Sequence, residues 1–163
     1  MKNDILVIDP SIAGISGDML LSSFIDLGAD EKLVIDNIKN IKDYVKNCNQ
    51  LEISFNDVIK NGFRAKKADI VIQEDDLVHN VDELYNDLEK CIENISLSQE
   101  AKLFIKKSFE ELISAEKRLH GISKEKMHLH EAGSIDTFVD IIGTGTALDN
   151  LGILKLKQIV TTP

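Results

Sequence analysis

The chain contains only two cysteines and two prolines among its 163 residues, has no surplus of basic charge, and shows no long apolar run. Each shortage closes a class of explanation. No stretch nears the roughly 18 apolar residues of a membrane span, and the Met1-Lys-Asn-Asp4 start lacks a signal-peptide pattern, so a cytoplasmic protein is expected. Cys48 and Cys91 stand far apart with no CxxC spacing. Without an export signal a disulfide is not expected, and both read as small hydrophobes near the ends of predicted helices. Acidic residues outnumber basic ones 28 to 19, a net charge of −9 and the wrong sign for a nucleic-acid binder. The local patch Arg64-Ala-Lys-Lys67 reads as the solvent side of a strand rather than a phosphate track. Internal repeats and low-complexity tracts are missing too. What remains is ordinary soluble composition, 43% hydrophobic and 29% charged, sufficient for one core or one core with a small appended unit.

The pattern predicts an α+β fold. Ile5-Leu-Val-Ile8 reads as a buried strand that stops at Asp9-Pro10, followed by the glycine loop Ala13-Gly-Ile-Ser-Gly-Asp18 and a helix closed by Gly28. Asp30 is placed to cap a second helix with the stripe Val34, Ile38, Ile41, Val45 and Cys48. Leu51–Phe55 and Ala68–Ile72 alternate in period two around Asn61-Gly62, the strongest short-range hairpin signal. Asn80 and Ser98 are placed to cap two further helices. A last helix follows Ser134 to about Leu151, apolar on most faces, before Leu156–Thr161 returns to strand character. The first strand and the hairpin are expected to share a small sheet, with a helical portion beyond it. The composition shift near Gln73–His79 suggests a division into 1–75 and 76–163, or one continuous domain. A terminal strand with open edges implies self-association or pairing with a further polypeptide.

Two constellations carry chemistry. Gly14, Ser16, Gly17 and Asp18 lie between strand and helix, where converging N–H groups and the helix dipole favour an anion. The spacing matches neither GxGxxG nor GxxxxGK[ST], so phosphate binding and a plain tight turn both stand. Asp9, at the strand's carboxyl end, is placed to hold a cation or a hydroxyl. The second constellation is His128-Leu-His-Glu-Ala-Gly-Ser-Ile-Asp-Thr-Phe-Val-Asp140. Three of the four histidines fall between His120 and His130, and Glu131, Asp136 and Asp140 follow closely. Alternation puts His128 and His130 on one side of an extended segment, and Asp136 and Asp140 share a helix face. Imidazoles and carboxylates this dense suit a metal or acid/base site. The plain alternative is that Asp136 complements the helix dipole while the histidines bond backbone. Gly143-Thr-Gly-Thr-Ala147 inside a helix implies close approach, by tight packing or a ligand. His79 is read as a lone loop residue without a role.

Taken together, Asp9-Pro…Ala13-Gly-Ile-Ser-Gly-Asp-Met19, Ile25-Asp-Leu-Gly28, Ala115-Glu-Lys-Arg-Leu-His-Gly121, Met127–Gly143 and Ala147-Leu-Asp-Asn-Leu-Gly152 resemble the LarC-type nickel insertion proteins. The resemblance covers nearly the whole chain. It implies a nickel chelatase, a metal-inserting lyase that places Ni(II) into a pyridinium bisthiocarboxylate mononucleotide. The product is the nickel-pincer cofactor of lactate racemase, and the reaction consumes CTP. It further implies that this chain is the amino-terminal part of a longer enzyme, with CTP handled largely by the remainder. A non-enzymatic metal- or nucleotide-binding subunit needing a second polypeptide is the alternative. On either view the expected metal ligands are His128, His130, Glu131, Asp136 and Asp140. The expected nucleotide loop is Gly14, Ser16, Gly17 and Asp18, with Asp9 and His120 as further candidates. The chain departs from the family at Val78-His-Asn-Val-Asp82, which keeps only His79, and at Ser22-Ser23-Phe24, where smaller residues are usual.

Overall fold

Helix α6 (Ile135–Asn150) is the element around which the others are arranged. The computed structural model describes residues 5–12, 14–46, 48–74, 79–120, 128–129 and 134–162, and of residues 79, 120, 128 and 129 the backbone alone. Helices α1 (Gly17–Leu27), α2 (Glu31–Lys39) and α5 (Gln99–His120) all pack against α6. The short α3 (Ile41–Tyr44) and α4 (Val81–Glu93) complete the helical set. On α6, Ile135, Phe138, Val139, Ile142 and every residue from Gly143 to Leu148 are buried, as a near-continuous apolar arc requires. Full burial of each large side chain among them contributes roughly 1.5–3 kcal/mol.

Close packing explains the glycines of α6. A Cβ on Gly143 would stand 2.9 Å from both Ile38 Cδ1 and Leu21 Cδ2. One on Gly145 would stand 2.5 Å from Ile105 Cγ1. The helix thus carries glycine where side chains of α1, α2 and α5 press on its backbone. A buried amide joins the same contact: Asn37 Nδ2–H donates to Thr146 Oγ1 at 3.3 Å, and that hydroxyl donates to the Ile142 carbonyl at 2.8 Å.

The caps form as the sequence indicates. Asp30 accepts from the Leu33 N–H, Asn80 Oδ1 from Asp82, and Ser98 Oγ from Ala101. Asp149 accepts from the Ser98 N–H and hydroxyl at 2.8 and 2.6 Å, tying the start of α5 to the end of α6. Asn150 Oδ1 likewise accepts from the Asp30 N–H. The stripe expected to run to Cys48 breaks instead into α2 and α3, and Cys48 opens strand β2 (Cys48–Lys60). The chain turns at Asn40 yet keeps Ile38, Ile41 and Val45 inside, so burial survived where helical continuity did not. Both thiols are buried, and burial pushes that of Cys91 up to about 12, leaving it inert as a nucleophile.

Strands β2 and β3 (Phe63–Glu74) form the expected hairpin, joined by Asn61 and Gly62 at φ 51° and 83°. Both angles are positive, as a type I′ turn requires. The strands run well beyond the two apolar stretches that announced them, and β2 buries Cys48, Leu51, Ile53 and Phe55 while its second half lies mostly open. One expectation fails: β1 (Leu6–Ile8) does not join the hairpin. It pairs in parallel with β6 (Ile159–Thr161), in the register Leu6↔Ile159, Val7↔Val160, Ile8↔Thr161. The hairpin's own edge is anchored to a helix instead, since Ser22 Oγ on α1 accepts from the buried Ala68 N–H at 2.9 Å. Strands β4 (His79–Asn80) and β5 (His128–Leu129) make a third, antiparallel pair, so His79 lies in a strand rather than a loop. A 3₁₀ turn (Ile153–Lys155) links α6 to β6. Among the described residues no helix is long and apolar enough to cross a membrane.

Candidate functional site

Two stretches far apart in sequence meet at one hollow. Ser16 and Asp18, from the glycine loop and the first turn of α1, face Asp136 and Asp140 from the first turns of α6. Strand β3 supplies the remaining wall with Lys67, Ala68, Asp69 and Ile70, and the hollow encloses ≈ 440 Å³. The Ser22–Ala68 hydrogen bond holds that wall against α1. Lys67 and Asp69 form an ion pair, and Asn56 Nδ2–H donates to the same carboxylate at 2.9 Å.

The loop is built for close approach. Gly14 has φ 73° and open space where a side chain would stand, and its N–H donates to the Pro10 carbonyl at 2.8 Å. Ser16 is the N-cap of α1, but its hydroxyl donates to Asp18 rather than capping the helix. Asp18 also accepts from the Met19 N–H at 2.8 Å. Gly17 packs directly on the Asp140 carboxyl: a Cβ there would overlap the carboxyl carbon and both oxygens. Replacing Gly17 with alanine is therefore expected to push Asp140 from its seat and to destabilise the fold by roughly 1–3 kcal/mol. Urea unfolding, with NMR titration of the Asp140 carboxyl, checks it; an unchanged titration would show that the contact is not tight.

The electrostatics of this hollow are one-sided. Burial, then Asp136, then Asp18 push the Asp140 carboxyl from 3.8 to about 7. Partial desolvation, followed by the charge of Asp18, also raises Asp136. Asp140 Oδ1 is buried without a hydrogen-bond partner among the described residues. Three carboxyls thus crowd together, while Lys67, the one lysine lining the hollow among the described residues, is engaged by Asp69. An arrangement of this kind holds protons or a cation. Among the described residues, no group of three or more His, Cys, Asp and Glu side chains is arranged to hold a metal ion.

The sequence-derived residues divide accordingly. Ser16, Asp18, Asp136 and Asp140 come together, with Gly17 beneath them and Gly14 at the start of the loop. His128 lies in β5, its backbone opposite Asn80, and its side chain is outside the described residues. The side chain of His120, together with His130 and Glu131, also lies outside them. Asp9 is elsewhere, at the end of β1, where its Oδ1 accepts from the Thr162 hydroxyl at 2.6 Å and the Ser11 N–H at 3.0 Å. Hydrogen bonding from the Ser11 hydroxyl first, then from the Thr162 hydroxyl and the Ser11 N–H, holds its carboxyl down at about 2. Lys67 and Asp69 were not anticipated. The alternation of β3 announced a strand, but nothing local announced which helix would face it.

A family model described as "Nickel insertion protein" matches residues 6–163. The pyridinium-3,5-bisthiocarboxylic acid mononucleotide nickel insertion protein of Staphylococcus epidermidis is 37% identical over 144 residues, 88% of this chain and 34% of the relative. The protein of that name from Acetivibrio thermocellus is 31% identical over 156 residues, covering 93% of this chain and 36% of the relative. That from Geobacillus kaustophilus is 32% identical over 147 residues, 86% and 34%. No solved structure matches the chain. The chain spans about a third of the length of these curated relatives. With a match running from the first strand through the last, the chain belongs to the nickel insertion protein family.

Proposed function

We propose that the chain serves in placing Ni(II), as cargo, into pyridinium-3,5-bisthiocarboxylic acid mononucleotide, yielding the nickel-pincer cofactor of lactate racemase. The observation that carries this reading is the convergence of the glycine loop with the α6 carboxylates on one hollow, within a chain of this family. The loop N–H groups and, once released from Asp18, the Ser16 hydroxyl are the proposed partners of the nucleotide's phosphate. Asp136 and Asp140, with His128, His130 and Glu131, are the proposed nickel ligands. Imidazole nitrogen and carboxylate oxygen suit Ni(II), while thiocarboxylate sulfur is the softer acceptor to which the ion can pass. The chain is proposed to act in the cytoplasm as the amino-terminal part of the chelatase. CTP consumption, and the lyase chemistry as a whole, are assigned to its work with the remaining family length. A second reading is a metal- or nucleotide-binding subunit without turnover of its own.

Calorimetric titration with Ni(II) tests the site. Asp136→Asn/Asp140→Asn and His128→Ala/His130→Ala are each expected to weaken binding at least tenfold. Wild-type affinity should fall as pH drops below about 7, where the Asp140 carboxyl and then imidazole take up protons. Binding by both variants indistinguishable from wild type would refute the site. Assay of nickel insertion by the chain, with and without the polypeptide completing the family length, separates the chelatase from the subunit reading.

A further inference from the structure

The β1–β6 pair is an unfinished piece of sheet. Parallel strands are found almost only in sheets covered on both faces, and two strands alone are marginal in water. Here Val7 and Val160, in register and so on one face, are 62% and 36% exposed. Ile159, which pairs with Leu6 on the other face, is 47% exposed. Beside the pair, a hollow of ≈ 350 Å³ runs between β1 and α1, where Met19 and Leu27 also stand open. Sequences such as Leu6-Val-Ile8 and Ile159-Val160, apolar on both sides, belong in the middle of a sheet. Beyond the strand pairing itself, the Leu6 N–H donates to the Gln158 carbonyl, the Thr162 N–H to that of Ile8, and the Thr162 hydroxyl to Asp9.

We infer that this pair is the docking nucleus for the portion of the family sequence that the chain does not cover. That polypeptide adds strand pairing at an open edge and lays an apolar helix over Val7 and Val160. The inference rests on the reading that the chain works with the remaining family length, about two-thirds of each curated relative. A second copy is the poorer occupant. Joined edge to edge about a two-fold axis, it would set like strands antiparallel and lengthen the ribbon without covering its faces. Each copy would also bring a charge of −9.

The test uses the part of the Staphylococcus epidermidis relative outside the 144-residue match, expressed separately and titrated onto the full chain without nickel. Hydrogen exchange is expected to slow at residues 5–8, 15–27 and 159–162. The Val7→Lys/Val160→Lys variant is expected to bind at least tenfold more weakly. Leu103→Lys, which alters an exposed leucine on α5, should bind as wild type does. Should the double lysine variant fail to fold, Val7→Thr/Val160→Thr keeps strand propensity and is expected to lose at least threefold. Absent protection in these segments, or equal binding by the valine variants, would overturn the inference. So would a concentration-dependent dimer of the chain alone that protects the same segments. Docking without nickel insertion would refute the functional reading and leave this one standing. Nickel insertion with these segments unprotected would do the reverse.

Discussion

Replacing Gly145 with valine is expected to lower the unfolding free energy by about 3 kcal/mol, at the upper end for overpacking a filled core. A Cβ at this position meets Ile105 Cγ1 at 2.5 Å and Cδ1 at 2.7 Å, and Ile105 is fully buried on α5. Neither helix has room to retreat, because α6 is also pressed by Leu21 and Ile38 near Gly143. Alanine should do less harm, since its helix propensity exceeds that of glycine by about 1 kcal/mol and offsets part of the clash. Urea unfolding of Gly145→Ala, Ile105→Ala and the double variant gives the coupling directly. The double variant should lose less than the sum of its parts, as residues in contact do. Strict additivity would mean that α5 and α6 are not packed as closely as the geometry has them.

These glycines show how far the sequence could be read. Helix α6 was legible because its apolar residues nearly encircle it, and two glycines inside such a pattern had to mean close approach. The hairpin was legible because Asn61-Gly62 specifies a turn whatever the surroundings. Caps at Asp30, Asn80 and Ser98 are local chemistry, readable for the same reason. The pairing of β1 with β6 was not legible. It joins residues about 150 positions apart, and four apolar residues say only that a strand is buried, not beside what. Cys48 was misplaced because an apolar stripe persists through the turn at Asn40, where the helix does not. At the site, the spacing of Asp136 and Asp140 gave a shared face, and the glycine loop gave a helix start. That the two would face each other, with Lys67 and Asp69 as a third wall, depended on α1 packing against both α6 and β3, which no local pattern announces.

Asp140→Asn is expected to stabilise the metal-free chain at pH 8 by about 2 kcal/mol, a figure reduced from the full pKa shift because the carboxyl is only partly buried. The sign follows from the direction of the shift. Its folded value, about 7, lies above the 3.8 of an ordinary aspartate, so folding favours the protonated carboxyl. That advantage is intact below about pH 4. It erodes as the pH rises, because the unfolded chain can ionise freely while the folded one cannot, and it is lost once pH passes about 7. Asparagine removes the titration, so the two melting curves should coincide near pH 4 and separate to roughly 4–8 °C by pH 8. The raised carboxyl of Asp136 acts in the same direction and should leave a residual slope in the variant. Coincident curves at both pH values would refute the crowding of carboxyls at this hollow. Nickel should invert the order. A cation at the proposed ligands Asp136 and Asp140 would offset the repulsion and raise the wild-type melting temperature through mass action, while the variant, short of one carboxylate, would gain less.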